Sequence, residues 1–124
     1  MPYDPQLAKL RAVASNAFNL ETLLGFACSG KETVKILEHI PQAVAKYFAL
    51  EENTVKDLGV SIQQSHLDEH KEILEEIKQL ETDWKKKIIS ASVFAEGVRI
   101  RIFFHIRDYD QPLADSILHP SDLR

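Results

Sequence analysis

The sequence predicts an all-α protein, an up-down-up-down bundle of four helices, on three observations. Apolar residues recur at steps of three and four along most of the chain, the spacing of one helix face. Pro, Gly and Ser punctuate it into four segments of similar weight with short connections. At 124 residues, 44% hydrophobic and 27% charged, the chain suits a single domain over residues 1–124.

The first helix opens at Asp4-Pro5, a capping Asp followed by Pro at the first helical position. Leu7, Leu10, Ala14, Ala17, Leu24 and Cys28 mark its inward face, with a long step across Glu21, and it should end near Ser29-Gly30. The second runs from Lys31 to about Asp57, with Leu37, Ile40, Val44, Tyr47, Glu51 and Val55 on one seam. Pro41 inside it is expected to kink it, and Gly59 closes the segment. In the third, Ile62, His66, His70, Ile73, Ile77, Leu80 and Trp84 form an unbroken stripe, and Lys85 to Lys87 complement the helix dipole at its end. The fourth, about Ser90 to Tyr109, carries two signals. Val98 to Ile102 alternates like a strand, yet a lone strand would have no partner. A helix places Phe94, Val98, Ile102 and His105 on one face and is the expectation, ending before Pro112.

Charge and motif content exclude several function classes. Fifteen Lys and Arg against nineteen Asp and Glu give a net charge of −4, which disfavours binding to nucleic acid or anionic lipid. No apolar run is long enough to cross a bilayer, and Met1 to Pro5 does not read as a signal peptide. The single cysteine, Cys28, fits a reducing cytoplasm and excludes Cys-based zinc ribbons and iron–sulfur clusters; packing as a small hydrophobe is its simplest role. There is no phosphate-binding loop, Gly-x-Ser-x-Gly or Cys–His pair. Trp84 and Phe94 read as core, the charges around Glu75 and Lys85 as a solvated face, and His119 as exposed in a polar tail.

Any metal must therefore be held by His and carboxylate. His66 and His70, four apart, interrupt an apolar stripe, so two imidazoles project from one side of the third helix. Core histidines bonded to backbone would read the same way. Glu51 lies on the inward seam of the second helix with Tyr47 one turn earlier; alone it reads equally as an exposed residue beside Glu52. His105 lies on the apolar face of the fourth helix, and Asp110 falls where that helix ends and is able to swing inward. All three elements fall on inward faces, and bundle cores are where such metal sites are built.

Tyr47-Phe48-Ala49-Leu50-Glu51-Glu52, His66-Leu67-Asp68-Glu69-His70 and His105-Ile106-Arg107-Asp108-Tyr109-Asp110 together resemble the hemerythrin family over about residues 40 to 115. Those bundles hold a non-haem di-iron centre that carries dioxygen or senses oxygen, nitric oxide or iron. The resemblance implies that His66, His70 and His105 are the imidazoles of one iron, with Glu51 and Asp110 as bridging carboxylates. The family's second iron takes a His from the first helix and the His that opens the second-helix motif. Here Tyr47 opens that motif, and no His precedes His39. His39 lies about 12 Å before Tyr47 along the helix, too far to substitute. Tyr47 would offer a phenolate only to a bound ferric ion. Asn16, Asn19 and Glu21 are the nearest polar residues on the first helix, and none replaces the missing His.

The expected function is thus a metal-binding, non-catalytic module for oxygen, nitric oxide or metal sensing or storage. Its site is Glu51, His66, His70, His105 and Asp110, with Tyr47 adjoining. Iron, as one ion or two, is the expected cofactor, and zinc or manganese suit the same donors. A mononuclear redox enzyme and a metal-free bundle acting as an interaction domain are the alternatives, and a homo-oligomer is compatible with the sequence.

Overall fold

The computed structural model describes residues 4–28 and 34–118, which form helices and no strand. Helix α1 spans Pro5–Cys28, α2 Val34–Asp57, α3 Gln64–Lys85 and α4 Ala91–His105. A π-helical turn, Ile106–Asp110, follows α4 and leads into a short α5, Gln111–Leu118. α1 packs against α2 and α4, and α3 packs against the same two, so the four long helices surround one core. Among the described residues no helix is long and apolar enough to cross a membrane. The expected turn at Ser29-Gly30, the start of the second helix at Lys31 and the exposure of His119 lie outside the described residues, as does the side chain of Cys28.

Local chemistry sets the helix ends. Asp4 Oδ1 accepts a hydrogen bond from the Leu7 amide at 3.2 Å, and Ser90 Oγ accepts from Val93 at 3.1 Å, so both side chains satisfy amides that have no partner within the helix. α2 continues through Pro41 and ends at Gly59, whose φ of 73° allows Val60 N–H to reach Val55 O at 3.1 Å. α3 ends in the same manner with a less suitable residue. Lys87 has φ 62°, and Ile88 N–H bonds Asp83 O at 2.8 Å.

The seams of α2 and α4 match expectation: Leu37, Ile40, Val44, Tyr47, Glu51 and Val55 are buried, as are Phe94, Val98, Ile102 and His105. Ile100, second of the alternating triplet, is 49% exposed, so the alternation marks two helix faces and no strand. The α1 seam differs from expectation. Ala14 is exposed, and the buried face runs Leu10, Val13, Ala17, Leu20, Leu24 and Ala27. Leu20 fills what read as a gap, and Val13, the larger side chain, takes the inward position beside Ala14. Ile62 precedes α3 and joins Leu10, Val55 and Ile117 in a smaller apolar cluster at one end. At the other end Trp84 stacks on Phe94, with ring centres 5.2 Å apart. Where α3 meets α4, Gly97 leaves room for Leu80; an added Cβ would lie 3.3 Å from Leu80 Cδ1.

The fourth helix ends before Pro112, at His105 and so earlier than the expected Tyr109, but helical structure does not end with it. Pro112 sits in the first turn of α5, where its missing N–H costs little, and the chain stays helical to Leu118. Lys87→Gly should stabilise the fold, because a left-handed conformation costs a side-chain-bearing residue about 1–2 kcal/mol and Gly almost none. After subtracting the extra freedom of Gly in the unfolded chain, the expected gain is about 0.5–1 kcal/mol, read as a melting temperature a few degrees higher.

Candidate metal centre

Three helices and the π turn bring the site together. Glu51 faces inward from the last two turns of α2, and His66 and His70 stand one turn apart on α3. His105 closes α4, and Asp110 closes the π turn. In a regular α-helix residues 105 and 110 would point about 140° apart. The π turn removes that disparity: Gln111 N–H bonds back to Ile106 O, one residue farther than in an α-helix, and His105 and Asp110 share one side. All five side chains are at least 94% buried.

Their donor atoms lie within 4.8 Å of one another. Glu51 Oε1 is 2.9 Å from His66 Nε2 and 3.1 Å from His70 Nε2. Asp110 Oδ1 is 3.0 Å from His66 Nε2 and 2.9 Å from His105 Nε2. Two features separate this cluster from an ordinary hydrogen-bonded core. First, His70 Nδ1 sits 2.6 Å from Glu52 Oε2; donating its proton there leaves a neutral ring with a lone pair on Nε2, facing the Glu51 carboxylate. Two acceptors so placed repel unless a cation or a proton lies between them. Second, neither ring nitrogen of the buried His105 has a hydrogen-bond partner, although Nε2 is within 2.9 Å of Asp110 Oδ1. Proximity without hydrogen-bond alignment is what donors aimed at a common third point produce. Three imidazoles and two carboxylates fit iron, zinc or manganese as a donor set.

Aromatic rings fix the imidazole planes. Phe48 lies parallel to His70 with ring centres 4.0 Å apart, and Tyr109 stacks on His105 at 5.4 Å. Glu69 pairs with Arg101, and Arg101 Nε also reaches Glu76 Oε2 at 2.7 Å, tying α4 to α3.

Tyr47 does not share the convergence point. Its hydroxyl donates to Asp110 Oδ2 at 2.5 Å, so it holds the oxygen that turns away from the imidazoles. Burial, reinforced by Asp110, Glu51 and Glu21, pushes the Tyr47 phenol far above its ordinary value, which keeps the proton on oxygen. On the α1 side of Tyr47, Glu51 and Asp110 a cavity of about 360 Å³ opens among Leu10, Val13, Ala17 and Val55. α1 brings no imidazole there. Glu21 lines the cavity, Asn19 is exposed, Asn16 is half-buried, and His39 is exposed on α2.

Sequence reasoning missed three supporting residues. Glu52 was read only as the neighbour of Glu51, yet it holds His70. Tyr109 follows His105 by four residues, a one-turn spacing that signals a shared face. Phe48, inside the helix-two motif, is the plate under His70.

Comparisons with protein-family models, curated proteins and solved structures find no match to this chain.

Electrostatics favour a bound proton when no metal is present. Burial lowers His66, but Asp110 and Glu51 outweigh it and raise its pKa from 6.5 to about 9. Burial would raise Asp110, but His105 and His66 hold it far below the usual carboxylate range. A raised folded-state value stabilises fully below 6.5 and loses that contribution as pH passes 9. The chelated protein should therefore melt at progressively lower temperature between pH 6.5 and 9. His66→Gln should flatten that slope.

Proposed function

We propose that the chain is a divergent hemerythrin-like domain, an up-down-up-down bundle that holds one metal ion of the iron type. Its role is sensing or storage of oxygen, nitric oxide or metal, in the cytoplasm, without catalysis. Reach supports the alternating arrangement: α2 and α3 run about 33–36 Å and α4 about 22 Å, whereas residues 58–63 span at most about 20 Å and residues 86–90 less, which favours antiparallel packing of α2 with α3 and of α3 with α4.

The observation that carries the metal reading is the convergence of five buried donors, with His105 Nε2 2.9 Å from Asp110 Oδ1 and no partner at its Nδ1. His66, His70 and His105 would hold the ion with Glu51 and Asp110, and iron so held supplies binding of dioxygen or nitric oxide. The protein's own groups do the rest. Glu52 fixes the His70 tautomer, Phe48 and Tyr109 fix two ring planes, and Tyr47 keeps Asp110 Oδ1 turned toward the imidazoles. The α1 side offers apolar and carboxylate side chains but no imidazole among the described residues lining it, which supports a single tight site.

Elemental analysis of protein reconstituted with iron, zinc or manganese tests this. One tightly bound ion per chain is expected, with no phenolate-to-iron band in the optical spectrum. His70→Ala should lower metal content and melting temperature together, because bound metal stabilises only the folded state. No metal under any of the three conditions would leave the bundle as an interaction domain. Glu52→Gln supplies a finer check: it keeps the fold and every donor but weakens support for His70, so metal affinity should fall about 10–100-fold.

The cavity beside the site favours one second reading, a mononuclear redox enzyme with an organic substrate. Oxygen- or peroxide-dependent turnover by the iron-loaded protein would establish it.

A further inference from the structure

The cavity on the α1 side of the cluster is larger than a diatomic ligand requires. Its volume of about 360 Å³ falls within the range of small-molecule pockets, roughly 300–1,000 Å³. Leu10, Val13, Ala17, Val55, Ile106 and Leu113 give it apolar walls, so an apolar body gains by entering. The charges around it are all of one sign. Glu21, Glu51, Asp110 and Asp115 line it, and among the described residues no Lys, Arg or His does. A metal ion would neutralise Glu51 and Asp110, which leaves Glu21 and Asp115, both exposed, as the remaining charges on the lining. An anion would meet two carboxylates and no cation there, whereas an ammonium group would meet two opposite charges. A primary amine on a short hydrocarbon body matches both surfaces.

We propose that this cavity is a binding site for a small organic amine, with its hydrocarbon body against the α1, α2 and α5 walls and its ammonium group facing Glu21 and Asp115. The site shares Tyr47, Glu51 and Asp110 with the metal centre and rests on that reading only for its inner wall. It gives the protein a ligand chemistry separate from that of diatomic gases. Glu21 is also the one acidic group on α1 whose field reaches Tyr47, so an ammonium bound there sits beside the tyrosine that positions Asp110.

Three probes with one hydrocarbon body separate the contributions: hexylamine, hexan-1-ol and hexanoate, titrated calorimetrically into the full chain at pH 8, zinc-loaded and metal-free. Hexylamine should bind one per chain, hexanol more weakly, and hexanoate at least about tenfold more weakly than the amine. The double variant Glu21→Gln, Asp115→Asn should erase the advantage of the amine over the alcohol. Ala17→Phe should fill the cavity and abolish both, with zinc content unchanged; Val13→Phe repeats that test from a neighbouring wall should Ala17→Phe lose its helical circular dichroism. Hexanoate binding as tightly as hexylamine, an amine affinity indifferent to the double variant, or no amine binding at millimolar concentration would each overturn the proposal. Absence of iron, zinc and manganese after reconstitution with each, with amine binding intact in the same samples, would overturn the metal reading and leave this one standing.

Discussion

Five lone-pair donors forced into one dry volume dominate the physics of this protein. Two carboxylates and three imidazoles within 4.8 Å, almost fully removed from water, repel one another unless positive charge sits among them. A proton on His66 supplies part of that charge, and a metal ion would supply more from a single point. The helices need only bring the groups together; the demand for a cation follows from the groups themselves. Such an arrangement costs stability wherever the cation is missing, and the apolar seams of α1, α2 and α4 offset that cost.

Around this centre the chain spends its aromatic and charged residues on orientation. Phe48 under His70 and Tyr109 against His105 limit ring rotation by contact alone. Glu52 sets which nitrogen of His70 carries the proton, although its own side chain is 39% exposed, so the centre has a direct link to solvent. Arg101 braces the far side through Glu69 and Glu76, so the two helices that carry the imidazoles are joined by charge as well as packing. Those contacts hold positions that hydrophobic burial alone would leave loose.

Much of this was legible in the sequence, because helical periodicity reports burial directly. Every residue named for the seams of α2 and α4 is buried, and all five proposed donors meet. The α1 seam was less legible, since Val13, Ala14 and Ala17 are all apolar and only packing decides which of the first two faces inward. Tyr47 read as an alternative ligand because its position in the motif suggests one, while its bond to Asp110 depends on three-dimensional placement. The continuation through Pro112 was hidden for a different reason. Proline after a polar run marks a helix end in most contexts, yet Pro112 falls in the first turn of α5, directly after the π turn. Glu52 stayed invisible because its neighbour Glu51 carries the same side chain and the more obvious role.

The π turn deserves to be read as an insertion. One extra residue between His105 and Gln111 widens a single turn, and everything after it is rotated by about 100° relative to an uninterrupted helix. Both the carboxylate of Asp110 and the burial of Ile117 in the terminal apolar cluster sit downstream of that extra residue. Deleting one codon between His105 and Asp110 would therefore restore a regular helix with the carboxylate four residues after His105, still on the same side. The donors and the burial of Ile117 would survive that shortening. Straightening the turn at full length would instead leave the two side chains about 140° apart and carry Asp110 and Ile117 away together.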